Sequence, residues 1–386
     1  MIAKTTLVPQ TYHGWNVCDS LPEIIAGFKI KNILIIADPF LISNGLVQKL
    51  TDNLSDYNIT VFSEIEPEPS LVLGEKLVKF AKDAKAELVI GIGGGSALDL
   101  SKLAAVLAGH EGLVADYLNL SGSLSLSHKG LPKILIPTTS GTGSEVTNIS
   151  VLSLESSKDV IADDYLLADV AILDPALTVS VPPRVTAATG IDALTHAVEA
   201  YLSINADPIT DNLALSAIEF IVHSLPIAYK DGTNVQARTN MSYGSYLAGL
   251  AFFNAGVAGV HALAYPLGGQ FHISHGESNA LLLPYVLEYI RPSCVAKLKN
   301  IAKVMDLDTV GKSDEAVSLL VIGALQALVK EVNIPATLQE FDITLEHLDG
   351  LTKDALKQKR LLARSPRLLA EEDIALIYKA AWNGGF

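Results

Sequence analysis

The stretch that decides the fold is Glu87–Ser96, which reads ELVIGIGGGS. Its first half is a short apolar run, the pattern of a strand that is buried on both faces. It leads through Gly93-Gly94-Gly95 into Ala97–Leu107, which has helical periodicity. Backbone N–H groups and the helix dipole at such a junction favour an anion, typically phosphate. The sequence therefore predicts a phosphate-binding loop, and a tight turn without a ligand is the alternative.

Strand and helix patterns alternate on both sides of this loop. Apolar runs predict parallel strands, and amphipathic runs between them predict helices on the faces of the sheet. The predicted strands are Ile33–Ala37, Ile59–Phe62, Glu87–Ile92, Lys133–Pro137 and Val170–Leu173, and the predicted helices are Leu41–Leu54, Leu71–Lys85 and Ala97–Leu107. The fold class expected for this half is a doubly wound α/β sheet.

The pattern becomes helical after Asp174-Pro175 and stays so almost to the C-terminus. We therefore predict two domains, an α/β domain at residues 1–180 and an all-helical domain at residues 181–386. The helices predicted there are Arg184–Leu202, Thr210–Tyr229, Ala237–Phe253, Ser293–Met305, Asp314–Val332, Leu348–Leu362 and Glu371–Ala381.

Composition excludes several classes of protein. Of the 386 residues, 49% are hydrophobic and 18% are charged, which excludes intrinsic disorder. The net charge of −14 disfavours nucleic acid as a partner. No signal peptide is apparent, and two cysteines fit a reducing compartment, so we expect a cytoplasmic protein. Thr239–Gly276 carries no charge, but Asn254, Gly256 and Gly259 interrupt it, which favours a buried helix over a membrane span.

Two further features lie at the ends of predicted strands. Thr138–Glu145 (TTSGTGSE) offers hydroxyls and backbone donors that suit a nicotinamide or a phosphate. Asp38 follows Ile33–Ala37, where its carboxylate could accept a hydrogen bond from a ribose 2′-hydroxyl and would repel a 2′-phosphate; a helix-cap role is the alternative. Parallel strands end at one edge of a sheet, so these residues and the glycine loop should meet where ligands bind.

A set of histidines and one aspartate forms the second chemical signal. Asp192 and His196 are four residues apart and share one helix face. His261, His272 and His275 follow within or near the charge-free stretch. One carboxylate with several imidazoles suits Fe(II) or Zn(II) rather than Ca(II) or Mg(II). The alternative for each histidine is a hydrogen-bonded core residue.

Four motifs resemble the iron-containing, group III alcohol dehydrogenases, relatives of glycerol dehydrogenases and dehydroquinate synthases. They are GGGSALDLSK at Gly93–Lys102, PTTSGTGSEVT at Pro137–Thr147, the segment Leu173–Tyr201 around GIDALTH, and HALAYPLGGQFHISHG at His261–Gly276. The resemblance runs from about Ile33 to Trp382. It implies an N-terminal dinucleotide-binding α/β domain and an all-α C-terminal domain, the architecture shared with dehydroquinate synthases.

The resemblance also implies roles for individual residues. Asp192, His196, His261 and His275 match the metal ligands of the family, for iron or possibly zinc. Asp38 matches the position that favours NAD over NADP. The remaining cofactor positions are Gly94, Gly95 and Ser96 for the pyrophosphate, Asp99, Thr138, Thr139 and Thr142 near the nicotinamide half, and Lys158.

Two positions depart from the family pattern. Tyr265 stands where many members have a further histidine that shapes the substrate pocket or relays a proton. Tyr265 or His272 could take that catalytic role. Ser274 stands where a proline often precedes the last metal ligand, a change of backbone that should not remove His275.

The reaction that the resemblance implies is NAD-linked interconversion of a primary alcohol and an aldehyde by hydride transfer. The same architecture serves hydroxyacid–oxoacid transhydrogenases, maleylacetate reductases and zinc-dependent polyol dehydrogenases. A non-catalytic nucleotide-binding protein is the alternative from another class. The expected partners are a small alcohol or aldehyde and further copies of the chain, in a dimer or a larger assembly.

Overall fold

The computed structural model describes residues 4–154 and 158–386, which form two compact units. One unit comprises Leu7–Thr139 and Gly143–Val179, and the other comprises residues 4–6, Ser140–Thr142 and Ser180–Phe386. The first is built on a parallel sheet and the second is helical. The predicted fold class is confirmed.

The first unit contains a six-stranded parallel sheet in the order β1-β8-β5-β4-β2-β3. Helices cover both faces of the sheet, and β6 and β7 form a separate antiparallel hairpin. The strands are β1 (Gln10–His13), β2 (Asn32–Ala37), β3 (Asn58–Phe62), β4 (Leu88–Gly93), β5 (Lys133–Pro137), β6 (Ile149–Ser153), β7 (Lys158–Ala162) and β8 (Val170–Leu173). The helices are α1 (Leu21–Ala26), α2 (Pro39–Ser43), α3 (Leu46–Thr51), α4 (Leu71–Asp83) and α5 (Gly95–Leu107).

Strand register brings the predicted loops to one edge of the sheet. Ala37 pairs with Ile92, and Gly93 pairs with Pro137. The residues that follow β2, β4 and β5 therefore start level with one another. This is the edge at which ligands bind to open α/β sheets.

The helical unit packs around one large apolar core. Its helices are α6 (Pro183–Leu202), α7 (Pro208–Lys230), α8 (Val235–Ala255), α9 (Gly259–Phe271), α10 (His275–Ile290), α11 (Val295–Val304), α12 (Asp314–Glu331), α13 (Leu348–Ala355), α14 (Lys359–Leu362) and α15 (Glu371–Asn383).

Two helices predicted as continuous are broken, so those predictions are wrong in that respect. The run Leu41–Leu54 is divided into α2 and α3 at Gly45, which has a φ of +81° that interrupts a helix. The run Leu348–Leu362 is divided into α13 and α14. The structure also contains β1, the hairpin of β6 and β7, and helices α9 and α10, which the sequence patterns did not predict.

By length and composition alone, α7 could cross a membrane, and so could α8 joined to α9 if that pair were a single span. The pair is bent by 105° at its break. Core helices of soluble proteins pass the same test, so the finding is weak support for a membrane location.

Candidate metal centre and cofactor loops

Helix α6 supplies the first two candidate ligands. Asp192 and His196 are both buried and lie one turn apart on α6, as the spacing predicts. His275 is the first residue of α10, and a close approach of that helix to α6 brings it near them. A Cβ on Gly276 would lie 2.3 Å from the carbonyl oxygen of Ala188 on α6, so only glycine permits this packing.

The side chains of Asp192, His196, His261 and His275 converge in one cluster. Each offers one ligand atom, and these four atoms lie within 4.8 Å of one another. The Nε2 atoms of His275 and His196 lie 3.6 Å and 4.0 Å from Asp192 Oδ1. Ligands about 2.1 Å from a tetrahedral ion are about 3.4 Å apart, so the cluster can close around an ion with small shifts. Three imidazoles and one carboxylate suit Fe(II) or Zn(II).

A buried carboxylate orients one of these histidines. Glu199 Oε2 lies 2.6 Å from His261 Nδ1, and Oε1 of the same carboxylate accepts a hydrogen bond of 2.6 Å from Val260 N. With the proton held on Nδ1, the lone pair of His261 Nε2 is available to the cluster. This role of Glu199 was missed in the sequence. The available signal was its position three residues after His196, on nearly the same helix face.

The protonation states of the cluster suit a cation. Burial alone would raise the pKa of Asp192, but the three histidines and Asn279 bring it below its ordinary value. Burial lowers the pKa of His196 to about 4, although Asp192 acts in the opposite direction. At neutral pH the site therefore holds a charged carboxylate and a neutral His196.

Asn279 supports the same cluster and was also missed in the sequence. This fully buried residue on α10 donates a hydrogen bond of 2.7 Å from Nδ2 to Asp192 Oδ1. The same nitrogen lies 3.2 Å from the Nε2 atoms of His261 and His275. Its side chain therefore helps to fix the Asp192 carboxylate among the imidazoles.

Aromatic side chains flank the cluster on its accessible side. Phe252 stacks on His196 with ring centroids 4.3 Å apart, and the Tyr265 ring lies 5.9 Å from that of His275. Phe252, Tyr265 and His275 are each only partly buried, so the cluster is reached from their side. The structure thus brings Tyr265 beside the cluster. His272 is exposed and ends α9 in a left-handed conformation with φ +55°.

The glycine-rich loop joins β4 to α5. Gly93 has φ +154°, and a Cβ there would lie 2.7 Å from the Cβ of Ala97, so no other residue fits. Gly94 precedes the first turn of α5, which begins with Gly95 and Ser96. Thr138 N donates to Gly93 O at 2.9 Å, which joins the loop after β5 to the glycine loop.

Asp38 and Thr139 lie next to this loop. A Cβ placed on Gly94 would be 3.5 Å from Thr139 Oγ1, and one on Gly93 would be 3.9 Å from Asp38 N. Asp38 Oδ1 also accepts a 2.8 Å hydrogen bond from Phe40 N and so caps α2. The cap interpretation of Asp38 is therefore correct, and its location beside the loop leaves a second role open to it.

Two other predicted cofactor residues are engaged by partners of this chain. Asp99 Oδ1 accepts from Ser144 Oγ and pairs with Lys102 Nζ at 2.9 Å, while Asp99 Oδ2 accepts from Val151 N at 3.0 Å. Lys158, at the start of β7, pairs with Glu68 at 2.7 Å. The structure does not bring Asp99 or Lys158 to the glycine loop as free groups. Thr142 lies in the segment Ser140–Thr142 of the helical unit.

A buried lysine anchors the loop that follows β5. Lys102 is fully buried, and its Nζ also donates to Ser144 O and Thr147 Oγ1, both at 3.1 Å. Burial lowers the pKa of Lys102, and Asp99 and Glu145 oppose that effect. This buried network ties Ser144 and Thr147 to α5.

Comparisons with known proteins match nearly the whole length of this chain to one family. Residues 9–175 match the family model "Iron-containing alcohol dehydrogenase", and residues 186–382 match "Fe-containing alcohol dehydrogenase family, C-terminal". The chain is 59% identical over 385 residues to Long-chain-alcohol dehydrogenase 1 of Geobacillus thermodenitrificans, covering 99% of this chain and 98% of that protein.

Solved structures of similar proteins have the same fold. A structure of 1,3-propanediol oxidoreductase superposes with a TM-score of 0.95 at 33% identity, over 99% of this chain and 100% of that one. Sulfoacetaldehyde reductase from Bifidobacterium kashiwanohense, solved in complex with NAD+, gives a TM-score of 0.90 at 29% identity, over 99% of each chain.

Proposed function

The chain belongs to the iron-containing alcohol dehydrogenase family and is an oxidoreductase, as its motifs predicted, and from that premise we propose its reaction and the residues that perform it. The reaction is the NAD-linked interconversion of a primary alcohol and an aldehyde. The observation that carries this proposal is the convergence of Asp192, His196, His261 and His275 within 4.8 Å.

Oxidation of an alcohol requires loss of the hydroxyl proton and of a hydride from the carbinol carbon. The alcohol and NAD+ become the aldehyde, NADH and one proton. Asp192, His196, His261 and His275 would hold a divalent ion, which would supply Lewis acidity that favours loss of the hydroxyl proton. NAD+ supplies the hydride acceptor.

The residues around the cluster hold this site in shape. Glu199 fixes the ring of His261, Asn279 fixes the carboxylate of Asp192, and Phe252 packs on His196. The partly buried Tyr265 is our candidate for the residue that passes the alcohol proton outward, because its ring lies beside His275. His272 stays a weaker candidate, since it is exposed at the end of α9.

The α/β unit is proposed to bind NAD. Gly94, Gly95 and Ser96 present the N-terminus of α5 to the pyrophosphate. Asp38 accepts from the adenosine ribose and disfavours a 2′-phosphate, and Thr138 and Thr139 contact the nicotinamide half, with Thr142 and Lys158 as further candidates. Asp99 is proposed to act indirectly, because it accepts a hydrogen bond from Ser144 and so holds the loop that follows β5. The NAD+ bound to the B. kashiwanohense relative supports the choice of cofactor.

The helical unit is proposed to bind the substrate. Phe252 and Val257 give it apolar walls, which suit an aliphatic chain, and the name of the 59% identical relative supports a long-chain alcohol. In this proposal the predicted domain at residues 1–180 binds the cofactor, and the predicted domain at residues 181–386 binds the metal and the substrate. We further propose a cytoplasmic homo-oligomer; the buried free thiols of Cys18 and Cys294 support a reducing compartment.

The test is NADH formation by protein that has been stripped with a chelator and reloaded anaerobically with Fe(II) or Zn(II). Primary alcohols of increasing length, diols and hydroxyacids form the substrate panel. Metal-dependent reduction of NAD+ by primary alcohols is the expected result. Turnover of a hydroxyacid with an oxoacid in the absence of free NAD+ would instead identify a transhydrogenase. Absence of turnover in protein that binds both metal and NAD would overturn the proposal.

A further inference from the structure

The segment 357–367, KQKRLLARSPR, is strongly basic in an otherwise acidic protein. It has no acidic residue, whereas the whole chain has a net charge of −14. The segment contains α14, which packs in the helical unit. Its basic residues are Lys357, Lys359, Arg360, Arg364 and Arg367.

Arg364 is the cation of this segment that is partly withdrawn from water and has no counter-charge among the described residues. Lys357 pairs with Asp354 at 2.6 Å, and Arg367 donates to the carbonyl and hydroxyl of Tyr289. Lys359 and Arg360 are exposed to water. Arg364 is partly buried, and among residues 4–154 and 158–386 its guanidinium has no hydrogen bond or ion pair.

A comparison with Arg238 shows how unusual this is. The buried guanidinium of Arg238 donates three hydrogen bonds, to Gly232 O, Thr186 Oγ1 and Val181 O. Burial lowers the pKa of Arg364, the nearby charge of Arg360 lowers it further, and only Tyr265 acts against them. No carboxylate in the part of the chain that the structure describes raises the pKa of Arg364. A partly desolvated cation without a partner is costly unless a ligand supplies one.

The guanidinium lies against the backbone that leads into α9. Gly256 has φ +85°, and a Cβ on it would be 2.6 Å from both Cδ and Nη1 of Arg364. The Arg364 carbonyl accepts a 3.1 Å hydrogen bond from Ile204 N, which fixes this part of the chain near the end of α6. The guanidinium of Arg364 therefore packs directly on the backbone of Gly256, where any larger side chain would collide with it.

This position is close to the accessible side of the metal cluster. Gly256 N bonds to Phe252 O at 2.7 Å, so Gly256 is one helical turn from the residue that stacks on His196. Arg364 also interacts electrostatically with Tyr265, whose ring is 5.9 Å from that of His275. Arg364 thus borders the same side as the partly buried Phe252 and Tyr265.

We propose that Arg364 is a specificity-determining residue that binds an anionic group on the substrate, distal to the carbon that is oxidised. The inference rests on the proposed function and narrows its substrate class to primary alcohols with a carboxylate at the far end. A guanidinium binds a carboxylate through two parallel hydrogen bonds, and partial exclusion of water strengthens them. The redox step is unchanged, because the distal carboxylate gains and loses no electrons or protons.

The test compares ω-hydroxycarboxylates with their neutral methyl esters at each chain length from four to twelve carbons. The measured quantity is the ratio of kcat/KM for the acid to kcat/KM for the ester. We expect a ratio of at least 10 at one range of lengths in the wild-type enzyme. Arg364→Met should lower that ratio at least 10-fold, and Arg364→Lys, which keeps the charge but not the bidentate geometry, should retain part of it.

Arg360→Met is the matched control, since it removes an exposed cation from the same segment and should leave the ratio unchanged. A wild-type ratio near 1, or a ratio that Arg364→Met does not change, would overturn the inference while alcohol oxidation still stands. A rise in KM for NAD+ in Arg364→Met, with the ratio intact, would overturn it too by assigning the guanidinium to the cofactor. Failure of the wild type to oxidise any alcohol in the panel would refute the proposed function itself. If Arg364→Met does not fold, the inference is tested by the acid-to-ester ratio of the wild type and by its decrease in Arg364→Lys.

Discussion

The carboxylate of Glu199 is not one of the proposed metal ligands, but we expect it to influence the affinity of the site for a metal. It accepts from His261 Nδ1 at 2.6 Å, so the cluster depends on its charge. Glu199→Gln keeps the shape of the side chain but weakens this bond. We expect the dissociation constant for Zn(II), measured by competition with a chelator, to rise about 10- to 100-fold.

Glu219→Gln is the control for this change, because Glu219 is an exposed residue of α7 away from the cluster. It should bind Zn(II) like the wild type. Equal affinities of Glu199→Gln and the wild type would show that Glu199 only caps the start of α9.

Asp38 is expected to choose between the two dinucleotides. Asp38→Gly removes the negative charge beside the glycine loop, so the ratio of kcat/KM for NADP to that for NAD should rise at least 10-fold. The same change removes a helix cap. Asp163→Gly is a matched control, since Asp163 likewise accepts a 2.8 Å hydrogen bond from the backbone N–H two residues on. A cofactor ratio that shifts equally in both variants would remove Asp38 from cofactor selection.

Glu145 makes stability depend on pH. Burial raises its pKa to about 7, from 4.5 in the unfolded chain. The folded protein therefore binds this proton more tightly, and its stability falls as pH rises from about 4.5 to about 7. Glu145→Gln removes the titration, so the Tm of the variant minus that of the wild type should increase by a few degrees from pH 5 to pH 8. Glu23→Gln, at an exposed site, should show a constant difference. A constant difference for Glu145→Gln as well would contradict this prediction.

At the scale of elements, Lys102 and Lys133 form a natural comparison. Both are fully buried, but Lys102 holds Asp99 and the loop after β5, whereas Lys133 Nζ has no hydrogen-bond partner among the described residues. Lys102→Met should raise KM for NAD+ about 10-fold or more by releasing that loop, with a smaller effect on kcat. Lys133→Met should leave both constants near the wild-type values. Similar rises in KM in the two variants would indicate general loss of structure instead.

Elements with a strong local pattern were predictable from the sequence. Strands β5 and β8 have the predicted bounds, because short apolar runs between turn residues identify buried parallel strands. Helices α9 and α10 were not predicted, since residues buried on nearly all sides show no amphipathic period. Strand β1 (QTYH) lacks an apolar pattern because it lies at the sheet edge and is mostly exposed.

The candidate site likewise contains some residues that the sequence predicts and others that only the structure reveals. Asp192 and His196 were paired by their spacing of four, and His261, His272 and His275 were further candidates from the sequence. The family resemblance selected His261 and His275 among these three. The contacts of Glu199 with His261 and of Asn279 with Asp192 join residues 62 and 87 positions apart. Local periodicity carries no information about such pairs, so packing of α9 and α10 on α6 had to be seen in the structure.

At the scale of the whole molecule, two units with separate cores imply two separable responses to ligands. A ligand stabilises the part that it binds. In calorimetry, Zn(II) should raise the temperature at which the helical unit unfolds, and NAD+ should raise that of the α/β unit. Removal of metal by a chelator should reverse only the first shift. A single transition that both ligands raise equally would contradict this assignment.

The pairing of β1 with β8 has a consequence for biosynthesis. Gln10–His13 hydrogen-bonds with Val170–Leu173, so the first strand of this sheet to be synthesised pairs with the last one. The four strands β2 to β5 can assemble once residue 137 has emerged, but β1 must wait for about another forty residues, roughly two to eight seconds at ordinary translation rates. During that interval its backbone donors and acceptors stay open to other chains or to chaperones. The polar sequence QTYH, a poor template for aggregation, is the kind of strand that tolerates such a delay.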